Sequence, residues 1–199
     1  DLGSRAYGDG SQVNTLRYYV YDYSSNNELS DLKGTASRKE NGKFEFSLPL
    51  LKGMKYNIVF WADKGGDDSP YSPVRDANGD ATGIINVDYT GVMSNDDTRD
   101  AFFGSLKNFG PADEDAQSRA RDIKLYRPFA QLNAATKDLK AVENSGVDLS
   151  TLTSEVTVNA YTTLNLFSGA VGGSTQVTFA ATAIPANKDP KEVLKADYE

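Results

Sequence analysis

The chain contains neither cysteine nor histidine. Lack of cysteine rules out disulfides and thiolate metal sites. Lack of histidine removes the commonest general base, the usual zinc ligand and the side chain that changes charge near neutral pH. Hydrolases of the Ser-His-Asp and Cys-His kinds are therefore excluded within these residues, and carboxylate-pair chemistry stays open. Basic residues are the minority, with Lys+Arg 21 against Asp+Glu 28 and a net charge of -7. No basic stripe interleaved with aromatics is present, so nucleic acid is not an expected partner. The apolar runs fall far short of the roughly 20 residues that span a bilayer, and no charged-then-apolar leader opens the chain. An export signal or lipid-bearing residue is thus expected to have been removed or to lie outside this sequence, and membrane attachment is expected only through such an anchor.

What is present favours strands. Eleven tyrosines, nine phenylalanines and many threonines suit a pleated, half-buried surface. At 199 residues there is room for one generous domain or two small ones. Residues 1–11 read as a flexible arm, 12–187 as one β domain, and 188–199 as a charged tail or linker toward a further domain. A first strand ends near Asp22, with Tyr18, Val20 and Asp22 on one face. Phe44, Phe46 and Leu48 alternate with polar residues as a half-buried strand, joined across Pro49 and Gly53 to a second strand carrying Tyr56, Ile58, Phe60 and Ala62. Residues 63–83 are read as a long surface loop, followed by a strand over 84–89. Residues 90–120 form a second excursion pinned by Phe102 and Phe103. Residues 122–126 alternate as a strand leading into Arg127-Pro128.

The stretch Arg127 to Thr136 has a helix-like alanine content but a strand-like alternation. Pro128 disfavours helical geometry at Arg127 and lacks a backbone donor, so 129–135 is read as a strand entered through an edge or bulge. Lys137 to Asn144 is the helix candidate, with Gly146 as its stop. Further strands are expected over 155–161, 163–167 and 176–183. About eight or nine strands with one short helix indicate an all-β fold, an antiparallel β-sandwich. A parallel α/β fold is disfavoured because crossover helices are missing.

Candidate sites are few. Asp76, Asn78 and Asp80 have the alternate spacing that opens a calcium loop, but Ala81 and Val87 stand where glycine and a bidentate glutamate belong. The same residues are ordinary turn formers. Trp61, with Tyr18, Tyr19, Tyr21 and Tyr23, offers rings for stacking on a sugar, against the alternative of core packing. Glu40 with Glu45, or Asp63 with Asp67 and Asp68, are conceivable glycosidase pairs, yet nothing sets their separation. No catalytic residue and no cofactor is assigned, and the chain is expected to be non-enzymatic.

The segments Leu16 to Asp22, Phe44 to Leu51, Tyr56 to Asp63, Arg99-Asp100-Ala101-Phe102-Phe103, Leu125 to Asn133, Val156 to Asn165 and Val177 to Pro185, taken in order, resemble a fimbrillin-like surface protein along nearly the whole chain. That resemblance implies a transthyretin-like Greek-key sandwich in an exported lipoprotein of the outer membrane or fimbrium. It also implies a role as fimbrial subunit, tip, anchor or adhesin, with other fimbrial subunits or surface proteins as partners. In such families a protease cuts after an arginine in the N-terminal arm and a neighbour's strand fills the freed groove. Arg5 is the matching position here. The rival expectation is a glycan-binding module of a nutrient-capture system.

Overall fold

The computed structural model describes residues 9–94, 96–111, 121–130, 132–134, 139–183 and 196–198. The strands in chain order are β1 (Thr15–Asp22), β2 (Gly34–Ser37), β3 (Tyr56–Asp63), β4 (Tyr71–Arg75), β5 (Ala81–Val87), β6 (Phe102–Phe109), β7 (Leu132–Ala134), β8 (Thr153–Ala160), β9 (Thr163–Asn165), β10 (Val171–Gly172), β11 (Thr175–Ala183) and β12 (Ala196–Tyr198), with one α-helix, α1 (Leu139–Asn144). Two four-stranded sheets, ordered β2-β1-β3-β6 and β10-β9-β5-β4, and the pairs β8-β11 and β7-β12 account for all of these strands. Every pairing is antiparallel. The fold is an all-β, antiparallel sandwich.

The two larger sheets meet face to face. Period-two alternation sends Tyr19 and Tyr21 of β1 and Val59 and Trp61 of β3 toward Tyr71, Ala81, Ile85, Val87 and Leu164 of the facing sheet. The opposite face of the first sheet is apolar too. There Leu16, Val20, Tyr56, Ile58, Phe60 and Ala62 are buried beneath Phe44, Phe46, Leu48, Ile123 and Leu125. β3 is thus covered on both faces, which explains why its sequence is apolar almost throughout. Burial of each large side chain of this kind is worth about 2 kcal/mol relative to exposure. The β8-β11 pair contributes a third cluster, in which Val177 and Phe179 enclose Val92.

A bulge in the β3–β6 ladder keeps Leu106 and Phe109 facing the same cluster: Tyr56 pairs with Phe109 and Ile58 with Leu106. Asn108 sits there with a φ of 53°, and its N–H donates to the Asn57 side-chain oxygen at 3.0 Å. Gly83 of β5 has a φ of 76°, and a Cβ at that position would collide with the Phe167 ring.

Several sequence expectations are corrected. Phe44 to Leu50 keeps the expected alternation of half-buried and exposed residues, but it pairs only through a single Arg38–Phe44 bridge and makes no hairpin with β3. It runs as an extended strap across the outer face of the sheet, with Phe46 stacked on Tyr18 at 4.3 Å between ring centroids. The expected 63–83 loop contains β4, and the 90–120 excursion contains β6. Residues 122–126 are not a strand; Tyr126 alone bridges Phe103. Within the expected strand 129–135, residues 129–130 are irregular and Leu132–Ala134 form β7, whose partner β12 comes from the charged tail. The helix is observed over Leu139–Asn144 and ends at Gly146, φ 86°.

Asp63 closes the inter-sheet core. Its carboxylate accepts from the Arg17 guanidinium, from Trp61 Nε1 at 3.0 Å, from Ser69 Oγ at 2.8 Å and from the Gly65 N–H at 2.9 Å. Arg17 also donates to the Tyr71 carbonyl at 3.1 Å, which links β1 to β4. The Asp63 side chain is 2% exposed. Arg17→Met would leave this carboxylate buried without its cation. The expected loss is about 3 kcal/mol, read as a lower urea midpoint with an unchanged slope.

Candidate functional site

One concavity, about 960 Å³, lies on the outer face of the first sheet, between that sheet and the Phe44–Leu50 strap. Its walls are the apolar cluster that the strap covers, and its charged lining is balanced between Asp9, Glu45 and Asp122 and Arg38, Lys43 and Arg121. This is the second core of the protein with an open seam.

A second cleft, about 390 Å³, has a different make-up. It lies between the inter-sheet core and the β8-β11 pair. Trp61 and Tyr71 line it on the core side, Val158, Val177 and Phe179 on the β8-β11 side. Tyr89, Arg99, Phe129 and Tyr161 also belong to the lining. Such a mixture of apolar and aromatic walls with a few polar groups is the usual composition of a small-molecule site.

Each of these four residues is positioned by an identifiable contact. Arg99 ends a single 3-10 turn, Asp97–Arg99, whose cap Asp96 accepts the Thr98 N–H at 3.1 Å. The carbonyl of Arg99 accepts the Tyr71 hydroxyl, and its guanidinium donates to the Asp88 carbonyl and lies 5.8 Å from the Tyr89 ring centroid. The Tyr89 hydroxyl donates to the Tyr161 carbonyl at 2.9 Å, which fixes the turn that presents Tyr161. Burial pushes the Tyr71 and Tyr89 phenols up, so both remain protonated donors at neutral pH. Phe129 stacks on Tyr71 at 5.7 Å. It is held there because Arg127 forks onto the buried Asp100 carboxylate while its guanidinium carbon lies 4.9 Å from the Phe102 ring centroid. The proline-entered stretch is therefore an irregular segment pinned by a buried ion pair.

Trp61 is 0% exposed, its indole N–H is taken by Asp63, and Tyr71 meets it edge-on at 4.9 Å. The structure places it in the core, as a wall at the base of the cleft. Tyr19 and Tyr21 are also buried, Tyr18 is stacked on Phe46, and Tyr23 stands apart beside Lys55. The exposed aromatic of the cleft is Tyr161, 58% exposed. Sequence reasoning did not assign it a site role. The available signal was positional: Arg99, Phe129 and Tyr161 come from three of the segments that carry the family resemblance, and the fold brings those three segments to one cleft.

Asp76, Asn78 and Asp80 form the turn between β4 and β5. Asp76 Oδ1 accepts the N–H groups of Asn78 at 2.8 Å and Asp80 at 3.0 Å, and Arg75 donates to the Gly79 carbonyl at 2.8 Å. No three Asp or Glu side chains converge as a metal cage among the described residues. Arg5 lies outside the described residues. Asp63 is committed to the Arg17 network, and Glu45 pairs with Lys39 at 3.0 Å on the surface.

With this geometry in place, the family can be stated. The model of a family of unknown function, DUF6562, matches residues 3–198. The chain belongs to the DUF6562 family. No curated protein matches the DUF6562 chain in sequence. A crystal structure of candidate polysaccharide-binding proteins (DUF1812) from Bacteroides thetaiotaomicron VPI-5482 is similar, with a TM-score of 0.58 and 15% identity over 92% of this chain. The DUF6562 chain covers 62% of that neighbour's length. At this identity the likeness is one of fold. Neither the matching family model nor this structure is fimbrillin-like by its description; of what that resemblance implied, the antiparallel β-sandwich is what is observed.

Asp76→Ala should cost about 1 kcal/mol by removing the acceptor for the two turn amides. The loss should be the same with calcium and with a chelator in thermal denaturation. A calcium-dependent difference would instead make the turn an ion site.

Proposed function

We propose that this DUF6562 chain is a non-enzymatic carbohydrate-binding module of an exported, cell-surface protein. The observation that carries the reading is the cleft with Tyr161 half-exposed at its edge and its backbone held by the Tyr89 hydroxyl. A tyrosine ring offers a flat apolar face to the C–H face of a sugar, and a ring fixed beforehand costs little entropy to use. No Asp or Glu is among the described residues lining the cleft, which supports binding without glycoside cleavage, since that chemistry needs two carboxylates. The polysaccharide-binding description of the Bacteroides neighbour, a protein of similar fold, is in keeping with it.

Affinity electrophoresis and calorimetry of the full chain against a glycan panel test this. Saturable binding is expected, and Tyr161→Ala should weaken it roughly fivefold, as about 40 Å² of apolar contact at ~25 cal/mol per Å² implies. Absence of binding to every glycan, or binding indifferent to Tyr161, would sink the proposal.

One observation favours a second reading, a structural role by strand addition as fimbrial subunit, tip or anchor. Past its Phe103–Tyr126 bridge, the outer edge of β6 has no strand partner among the described residues. An unpaired edge offers backbone donors and acceptors to a strand from another copy or surface protein. Detergent-stable oligomers after cleavage at Arg5 are expected on this reading. A monomer at every concentration, cut and uncut, would remove it.

A further inference from the structure

Arg99 is the one charged residue among the described residues lining the cleft. In a chain of net charge -7, a solitary cation between aromatic walls calls for an anion. Its guanidinium gives one N–H to the Asp88 carbonyl and rests beside the Tyr89 ring, neither of which neutralises the charge. The nearby carboxylates have other partners. Asp88 accepts the Thr90 N–H at 2.8 Å and lies within electrostatic reach of Arg99 without pairing with it, Asp96 accepts the amide and hydroxyl of Thr98, and Asp100 is bound by Arg127. Asp97 is exposed on the turn that carries Arg99. No ion pair joins Arg99 to any described carboxylate, so donors of its planar fork remain for a ligand. The backbone of Arg99 is tied to the core through the Tyr71 hydroxyl, so the charge is held in position before any ligand arrives.

We propose that the cleft takes an acidic glycan, with Arg99 receiving the carboxylate of a uronic or sialic acid residue while Tyr161 lies against a sugar ring. This rests on the carbohydrate-binding reading above and narrows it to a substrate class. A guanidinium and a carboxylate match as a two-point, charge-assisted pair, whereas a neutral sugar would leave the half-buried cation uncompensated. The same pairing makes the preference for acid sensitive to salt, whereas ring stacking is not.

Titration of the full chain with trigalacturonate and its methyl ester, and with sialyllactose and lactose, tests the assignment and separates the two sources of carboxylate. At least one acidic member should bind about tenfold tighter than its neutral counterpart, with the advantage shrinking as salt rises. Arg99→Gln should abolish that advantage, so that acidic and neutral members bind alike, and Arg99→Lys should retain part of it. Comparison of acid with ester on the unaltered chain needs no variant, so a folding defect in Arg99→Gln does not blur the result. Equal binding of acid and neutral forms, or a preference that survives Arg99→Gln in a folded protein, overturns the acidic-glycan assignment while glycan binding stands. Failure of all four probes to bind, together with binding of a neutral glycan elsewhere in the panel, also overturns the assignment alone. No binding of any glycan overturns both.

Discussion

A buried carboxylate organises this sandwich. Asp63 ends β3, the strand covered on both faces, and gathers Arg17 from β1, the indole of Trp61, the Ser69 hydroxyl and the Gly65 amide. Through Arg17 the same network reaches the Tyr71 carbonyl on the opposite sheet. Apolar contact alone would hold two sheets together without fixing their relative position. A charge that must be satisfied from both sheets does fix it, because any slip leaves the carboxylate or the guanidinium buried without its partner. Tyr71 then passes that placement on: its hydroxyl meets the Arg99 carbonyl and its ring meets Phe129. The base of the cleft and two of its functional groups are thus referred to the same core network.

The two concavities differ in how they are finished. On the outer face of the first sheet, an extended strap covers apolar residues that a sheet would otherwise expose, and the charges at its margin are mixed. In the smaller cleft, side chains from irregular segments converge on a wall of core aromatics, and Arg99 is the single cation among the described lining residues. Arg127 and Asp100 matter here without lining the cleft together. Their buried ion pair lets an irregular proline-containing segment hold Phe129 against Tyr71. Loops carried on a rigid sandwich in this way are the usual place for binding groups, since they can be shaped without disturbing the sheets.

Much of the architecture was legible from residue periodicity. The alternation along β1, β3, β5, β8 and β11 marked them as strands, and the helix stop at Gly146 was correct. The errors share a cause. Phe44 to Leu50 alternates as a strand does, because it too has one face on the core, yet ladder pairing depends on a neighbour that periodicity does not report. β4 was hidden in a Gly, Asp and Pro-rich stretch because Pro73 sits in it as an edge-strand residue. Trp61 could be a core residue or a platform on sequence grounds. Its partner Asp63, two residues away on the same face, settles that it is buried, and only the fold shows that Arg17 and Ser69 complete the site.

By itself the sequence determined the absence of histidine and cysteine chemistry, the acidic balance, the all-β class and most of the strand positions, because these follow from residue types and a period of two. The tertiary structure decided which aromatics are core and which stand at the open cleft, and which carboxylates are already committed. It also brought Arg99, Phe129 and Tyr161, far apart along the chain, to one cleft. The physical reason is that strand periodicity is a local property, whereas the contents of a cleft depend on sheet order and on the long-range hydrogen bonds and ion pairs that hold loops against a core.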